Sequence, residues 1–288
     1  MRIYLEITNN CNKSCEFCAK SQREKGFLPL QLVRSRIEKI KDFADEVYLH
    51  VLGEPLLHKE ILKIFSILQE QQVFFKITTN GTLLNDEKIT KLLANPYFKQ
   101  INFSLHALTE SEIHGEILER VLEFSKKLMV ERNDVFVNYR LWNYTTADEI
   151  KNAFILAKIA DFFQLEPIKI PENRRSKRLL DRIYLNIDKR FEWPNSLPDK
   201  KLDTGTIVKG FCHGGSSQLG VLLDGTIVPC CLDSEGEINL GNIDKIDNFQ
   251  EILNSARLQN ICANFNTGKV IEPFCQKCTF RKRFFADN

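Results

Sequence analysis

Along the first 170 residues, short extended apolar runs alternate with stretches whose apolar positions recur at helical spacing. The runs near 2 to 8, 46 to 52, 74 to 80, 100 to 106 and 135 to 143 predict strands, and the stretches near 30 to 43, 58 to 70, 86 to 94, 111 to 131 and 146 to 163 predict helices. Repeated strand and helix in this order imply a parallel sheet of the α/β class. A sixth strand is expected near 166 to 170. From 171 to 206 the pattern breaks into a basic run, a short extended piece at Ile183 to Ile187 and a Pro, Asp and Lys-rich stretch at Pro194 to Asp203, which reads as insertion plus linker. Beyond it, Asp224-Gly225 between apolar runs predicts a hairpin with a two-residue turn, and a short helix is expected near 247 to 258. The expected division is therefore 1–170, 171–206 and 207–288. The last segment is too small for a large core and would gain from a metal staple.

Successive strand residues face opposite sides, so each strand divides into two sets. One set is apolar: Ile3, Leu5 and Ile7; Val47, Leu49 and Val51; Ile101, Phe103 and Leu105; Val135, Val137 and Leu141. The other is largely polar: Tyr4, Glu6 and Thr8; Tyr48 and His50; Asn102, Ser104 and His106; Asn138 and Arg140. A doubly covered parallel sheet is normally apolar on both faces, so one face here is expected to line a polar cavity. The competing reading is a buried network in which these groups satisfy one another.

Composition narrows the class without naming it. Hydrophobic residues make up 43% of the chain, enough for a packed core, and a formal charge of +2 gives no overall field that would draw nucleic acid or membrane. The N-terminal residues lack the apolar stretch of a signal peptide, and no window approaches the roughly 18 apolar residues of a membrane span, so a cytoplasmic protein without a membrane partner is expected. Nine cysteines gathered at the two ends of such a chain point to metal or redox chemistry rather than disulfides.

After the first strand come Cys11, Cys15 and Cys18, spaced CxxxCxxC. Thiolates this close can converge on one iron-sulfur cube, and three ligands leave one iron open. A zinc knot is the alternative, although structural zinc sites usually take four ligands. The triad, with Phe17 before its last cysteine, resembles the signature of the radical S-adenosylmethionine (SAM) superfamily. That resemblance implies a partial (β/α)6 TIM-type barrel and a 4Fe-4S cluster whose open iron is chelated by SAM. Its reductive cleavage would give methionine and a 5'-deoxyadenosyl radical that abstracts a substrate hydrogen. Leu52-Gly53-Glu54-Pro55 resembles the family's Gly-Gly-Glu-Pro motif with Leu52 in place of the first glycine, and Thr78, Asn80, Ser104 and Arg140 fall where the family contacts SAM. The planar donor fork of an arginine suits a carboxylate.

The second group comprises Cys212, Cys230-Cys231, Cys262 and Cys275-Gln276-Lys277-Cys278. The run from Cys212 through GxxxxC to CxxC resembles the SPASM and twitch group, in which an appended subdomain binds auxiliary iron-sulfur clusters. With no cysteine in Thr279 to Asn288, the shortened twitch form is the nearer match, and it implies one auxiliary 4Fe-4S cluster on Cys212, Cys230, Cys275 and Cys278. Among such enzymes the spacing is most similar to twitch-type dehydrogenases acting on aminocyclitol alcohols. Structural zinc on the same sulfurs is the competing reading. Cys231 stays open as an alternative ligand to Cys230 or a redox-active thiol, and Cys262 as a buried small hydrophobe. His213 is either a hydrogen-bonding neighbour of the cluster or a surface histidine.

The resemblance implies an external one-electron reductant such as flavodoxin or ferredoxin and leaves the substrate open. Oxidation of a small polar molecule, with the auxiliary cluster taking the substrate electron and His50, His106 or Glu6 as base, is the first reading. Modification of a ribosomal peptide is the second. Against it stands a chain that opens directly on its first strand, without an N-terminal peptide-recognition domain. RNA modification is the third, through basic patches at Arg174, Arg175, Lys177 and Arg178 and at Arg281, Lys282 and Arg283, for which solvated surface charge is the default.

Overall fold

The computed structural model describes residues 1–19, 21–142, 148–170, 175–189, 192–197 and 208–284. In chain order its elements begin with β1 (Arg2–Leu5), α1 (Leu30–Ile40), β2 (Glu46–Tyr48), α2 (Ile61–Glu70), β3 (Phe75–Thr79), α3 (Asp86–Leu93), β4 (Phe98–Phe103), α4 (Glu110–His114), α5 (Glu116–Glu131), β5 (Phe136–Leu141) and α6 (Glu149–Phe163). They continue with β6 (Ser176–Arg178), β7 (Ile183–Ile187), β8 (Val208–Lys209), β9 (Gln218–Val221), β10 (Ile227–Val228), α7 (Gln250–Leu253), α8 (Ala256–Asn266), β11 (Lys269–Val270) and α9 (Pro273–Lys277). Two compact units result: Met1–Glu54 with Phe191–Asn288, and Pro55–Arg190.

In the first unit β1 lies between two parallel partners, with Ile3 opposite Val47 of β2 and Leu219 of β9. The expected boundary before residue 207 is thus crossed by the sheet, because a strand from the C-terminal segment pairs with the first strand of the chain. Ile3, Leu5, Val47, Leu219 and Val221 are all fully buried, which holds the register: a slip by one residue would turn this set to the other face. β10 returns antiparallel to β9. The hairpin is one residue longer than expected: Leu222 N donates to Thr226 O and Gly225 N to Leu222 O, which makes a three-residue loop ending in Gly225. Helix α1 buries Val33, Ile37 and Ile40, and with them Arg36, whose guanidinium reaches Asp244 at 2.6 Å and the carbonyl of Leu222 at 3.0 Å.

In the second unit β3, β4, β5 and β7 are parallel neighbours, and β6 covers the outer edge antiparallel to β7. The next parallel strand of the sheet after α6 is therefore Ile183–Ile187, not 166 to 170. Its alternation explains the choice, since Ile183, Leu185 and Ile187 are buried, whereas Pro167 interrupts the earlier segment and has no N–H to give a ladder. The single helix expected over 111 to 131 is divided at Gly115 into α4 and α5. Among the described residues no helix is long and apolar enough to cross a membrane.

Candidate iron-sulfur and SAM site

The N-terminal cysteines stand on the loop after β1, inside the first unit. Cys11 and Cys18 are exposed, Cys15 is half-buried, and the three thiols act on one another electrostatically. Desolvation and then the neighbouring thiols push Cys18 up to about 11, so an iron that takes these sulfurs must also displace their protons. Main-chain contacts fix the loop. Glu54 N donates to Asn10 O at 2.8 Å. A Cβ on Gly53, which has φ +78°, would collide with the carbonyl of Thr8 and stand 2.8 Å from that of Asn10. Glu54 is buried, and its charge raises the Cys11 thiol. Leu52, at the position where glycine was expected, is buried and gives its N–H to Glu6, so no glycine is needed there. The carbonyl of Phe17 accepts from the Trp193 indole at 2.8 Å.

Glu6 is engaged in a buried ion pair. Its side chain is fully buried, and Arg23 grips both carboxylate oxygens at 2.7 and 2.8 Å while Leu52 N and Leu223 N complete the set at 3.2 and 2.8 Å. Arg23 in turn donates to Ser234 O at 2.6 Å. The carboxylate ties the cysteine loop, the end of the second strand segment and the C-terminal hairpin together. Arg23 was not anticipated. A glutamate on an otherwise buried strand calls for a cationic partner, and that is the signal that could have found it.

The C-terminal sulfurs fall into a set and two outliers. Cys212 interacts with Cys278, Cys230 with Cys275 and Cys212, and Cys275 with Cys212 and Cys278. Burial raises all four thiols, and main-chain N–H groups of His213 and Gly214 oppose this at Cys212, of Leu232 at Cys230, and of Phe280 and Arg281 at Cys278. Thiolates ringed by N–H donors are the surroundings an iron-sulfur cube needs. Among the described residues no three His, Cys, Asp or Glu side chains are placed to hold one metal ion. Cys231 is half-buried and acts on Cys230. Cys262 lies outside the set, its sulfur 3.3 Å from where a Cβ on Gly215 would stand. The His213 ring packs edge-on between Phe211 and Phe284, at 5.1 and 4.9 Å.

In the second unit the polar strand face is an amide ladder. Asn186 donates to Asn138, Asn138 to Asn102, and Asn102 to Thr78, at 2.9, 2.9 and 3.1 Å, and Gln100 joins at Asn102 at 2.7 Å. Mutual satisfaction accounts for these residues, as the competing reading held. In the first unit Tyr4, Tyr48 and His50 form an aromatic cluster, with the tyrosine rings stacked at 4.7 Å. Asn80 accepts from Thr82 N and Oγ1 and so fixes the turn after β3, while Ser104 N donates to Thr79 O. The Arg140 guanidinium lies 4.5 Å over the Trp142 ring and 3.5 Å from Thr78 Oγ1. The Arg140 carbonyl faces His106 Nδ1 at 3.0 Å. Because a carbonyl only accepts, Nδ1 carries the hydrogen and Nε2 the lone pair.

Burial, aided by the positive charges of Arg140 and Lys151, holds His106 down to about 4, so the ring is neutral near pH 7. The unfolded imidazole takes up a proton near 6.5, so between that value and about 4 the unfolded state binds more protons and stability falls as the pH drops. Between pH 7 and pH 5 the wild type is expected to lose about 2 kcal/mol more than His106→Asn, which keeps a donor for the Arg140 carbonyl. Denaturant midpoints for both proteins at the two pH values check this, and parallel pH curves would remove His106 as the cause.

The basic runs divide. Arg174 lies outside the described residues. Lys177 gives its ammonium to Lys169 O, Arg283 stacks 4.0 Å over Phe280, and Arg281 is buried, so Arg281 to Arg283 is no continuous solvated patch.

Family models match two parts of the chain: the radical SAM superfamily over residues 5–157, and the SPASM iron-sulfur cluster-binding domain over 212–279. A tungsten-containing aldehyde ferredoxin oxidoreductase cofactor-modifying protein of Pyrococcus furiosus is 32% identical over 46% of this chain and 39% of its own length. A probable GTP 3',8-cyclase of Thermococcus kodakarensis is 25% identical over 58% of this chain. The chain thus spans 39% and 56% of these two relatives. The GTP 3',8-cyclase of Aquifex aeolicus is 24% identical over 86% of this chain and 87% of its own. Among solved structures, BtrN in complex with AdoMet and 2-DOIA superimposes with a TM-score of 0.62 at 16% identity, over 96% of this chain and 92% of BtrN. Streptococcus suis SuiB bound to S-adenosylmethionine gives 0.60 at 14% identity, over 91% of this chain and 68% of SuiB. At these identities the likeness establishes a shared fold.

Proposed function

The chain belongs to the radical SAM superfamily and carries a SPASM-type iron-sulfur domain, and from this premise we propose that it oxidises a small polar substrate, with the C-terminal cluster as electron acceptor. When bound, the N-terminal cluster and SAM supply a 5'-deoxyadenosyl radical that takes a substrate hydrogen atom, and the auxiliary cluster supplies a sink for the electron left behind. Cys11, Cys15 and Cys18 would hold the N-terminal cluster, with Glu54 and the backbone fixed by Gly53 on the adjoining loop. Phe17, Thr78, Asn80, Ser104 and Arg140 are the further residues that the family pattern assigns to SAM.

Cys212, Cys230, Cys275 and Cys278 would hold the auxiliary cluster, Cys230 being the buried member of the Cys230-Cys231 pair and interacting with Cys212 and Cys275. The gathering of these four sulfurs, interacting pair by pair, is the observation that carries the proposal. Four thiolates would leave no iron for substrate, so the cluster's use would be to move electrons or to support the fold, and the first is the one proposed. An alcohol that has lost a carbon-bound hydrogen atom still has to lose its hydroxyl proton and one electron to become a carbonyl. His50 and His106 are the candidate proton acceptors that remain, since Glu6 is bound up with Arg23. As in any radical SAM enzyme, an external reductant provides the electron that starts the turnover.

Replacing Cys275 and Cys278 with Ala is expected to leave SAM cleavage to 5'-deoxyadenosine detectable while abolishing oxidised product. Wild-type product yield from that variant would reduce the second cluster to a structural staple. The substrate class is tested by incubating the reduced protein and SAM with deuterated alcohols and amino sugars and following deuterium into 5'-deoxyadenosine. A nucleoside triphosphate is the second class to include, because the match to the Aquifex aeolicus GTP 3',8-cyclase runs along 86% of this chain. Transfer from GTP alone would replace the oxidation reading.

A further inference from the structure

Arg281 is 9% exposed and, among the described residues, has no carboxylate partner. Its guanidinium is held by three main-chain carbonyls, those of Cys275 at 2.9 Å, Lys209 at 3.1 Å and Gln276 at 3.4 Å. The backbone makes room for it, because a Cβ on Gly210 would collide with Arg281 Nη1. A buried unpaired cation is costly, and proteins normally place one only against a compensating charge. The other nearby charges are compensated or further out. Buried Lys277 has Glu237 at 3.5 Å, Glu272 is bound by Arg257 at 2.9 Å, and Asp233 is satisfied by the N–H groups of Glu237 and Ile238. Arg283 lies over the ring of Phe280. The charge of Arg281 acts instead on Cys212 and Cys278.

We infer that Arg281 is the counter-ion of the auxiliary iron-sulfur cluster and a positioning residue that sets the cluster's reduction potential. The inference rests on the assignment of that cluster to Cys212, Cys230, Cys275 and Cys278. Four thiolates around a cube give a net negative group, and each added electron deepens that charge. A fixed positive charge in a site shielded from water favours the more negative, reduced form. Through its Nε bond to the Cys275 carbonyl, Arg281 also fixes the backbone that presents the CxxC pair. An acceptor of a substrate electron needs a potential high enough to take it, and Arg281 is the residue that raises it.

The test is an EPR-monitored redox titration of the fully reconstituted protein, for wild type, Arg281→Gln and Arg281→Lys, with iron content measured for each. Arg281→Gln keeps a donor and removes the charge, and its auxiliary cluster is expected to titrate at a more negative potential than wild type. Arg281→Lys keeps the charge and is expected to stay closer to wild type. Two clusters in Arg281→Gln with an unshifted auxiliary potential would overturn the inference, as would an equal shift in the lysine variant. Should Arg281→Gln not retain the cluster, Gly210→Ala, which displaces the guanidinium from its carbonyls, decides the matter: a lowered potential supports the inference and an unchanged one rejects it. A wild type that assembles only one cluster would instead refute the ligand assignment beneath it.

Discussion

Changing Cys11, Cys15 and Cys18 together to Ala is expected to abolish SAM cleavage and to lower the iron of anaerobically reconstituted protein from about eight to about four per chain. The expectation follows from the separation of the two sulfur sets. The three N-terminal thiols act on one another, and Cys11 also on Glu54, while the C-terminal four act among themselves. Removing the first set leaves the ligands of the second intact, so half the iron stays. A triple variant that kept about eight irons, or a wild type holding zinc and about four, would show that the sulfurs do not form two independent clusters.

Arg23→Met is expected to lower the stability of the protein by about 3 to 5 kcal/mol, the largest effect of any single change away from the cysteines. Glu6 is fully buried, so losing Arg23 leaves a carboxylate with two backbone donors and no counter-charge. Such a loss is a large share of the stability typical of a folded domain. Changing both residues, Glu6→Gln with Arg23→Met, should recover part of the loss because no buried charge is stranded. Denaturant midpoints of the wild type, the single variant and the pair measure this. A single-variant cost below about 1 kcal/mol would mean that water reaches Glu6 and that the pair is not the tie described here.

The sulfur chemistry was legible because its spacing is local. CxxxCxxC and CxxC put thiols within reach of one cluster whatever the rest of the chain does, and the GxxxxC step is equally short. The alternation of strands and helices was legible for the same reason, since a period of two or of 3.6 is a property of neighbouring residues. What failed were readings that depend on a distant partner. Glu6 reads as a cavity base until Arg23 and, 217 positions away, Leu223 N are found on its oxygens. Arg281 reads as part of a solvated basic run until its guanidinium is found buried on carbonyls from Lys209 and Cys275. Hydrogen bonds and burial make each of these roles, and neither has a signature in the adjoining residues.

By itself the sequence determined that the chain is α/β, that it gathers iron-binding sulfurs near each end, and that one strand face is polar. Tertiary structure decided which segment supplies the next parallel strand after α6, which C-terminal cysteines interact, and that the amides of the polar face satisfy each other across β3, β4, β5 and β7. It also decided that β9 pairs with β1, so that the C-terminal segment shares a sheet with the first strand of the chain. The physical reason is common to all of these. A strand edge, a thiol or an amide has many acceptable partners, and only the packing of fully buried residues such as Ile3, Leu5, Leu219 and Val221 selects one register and therefore one set of neighbours.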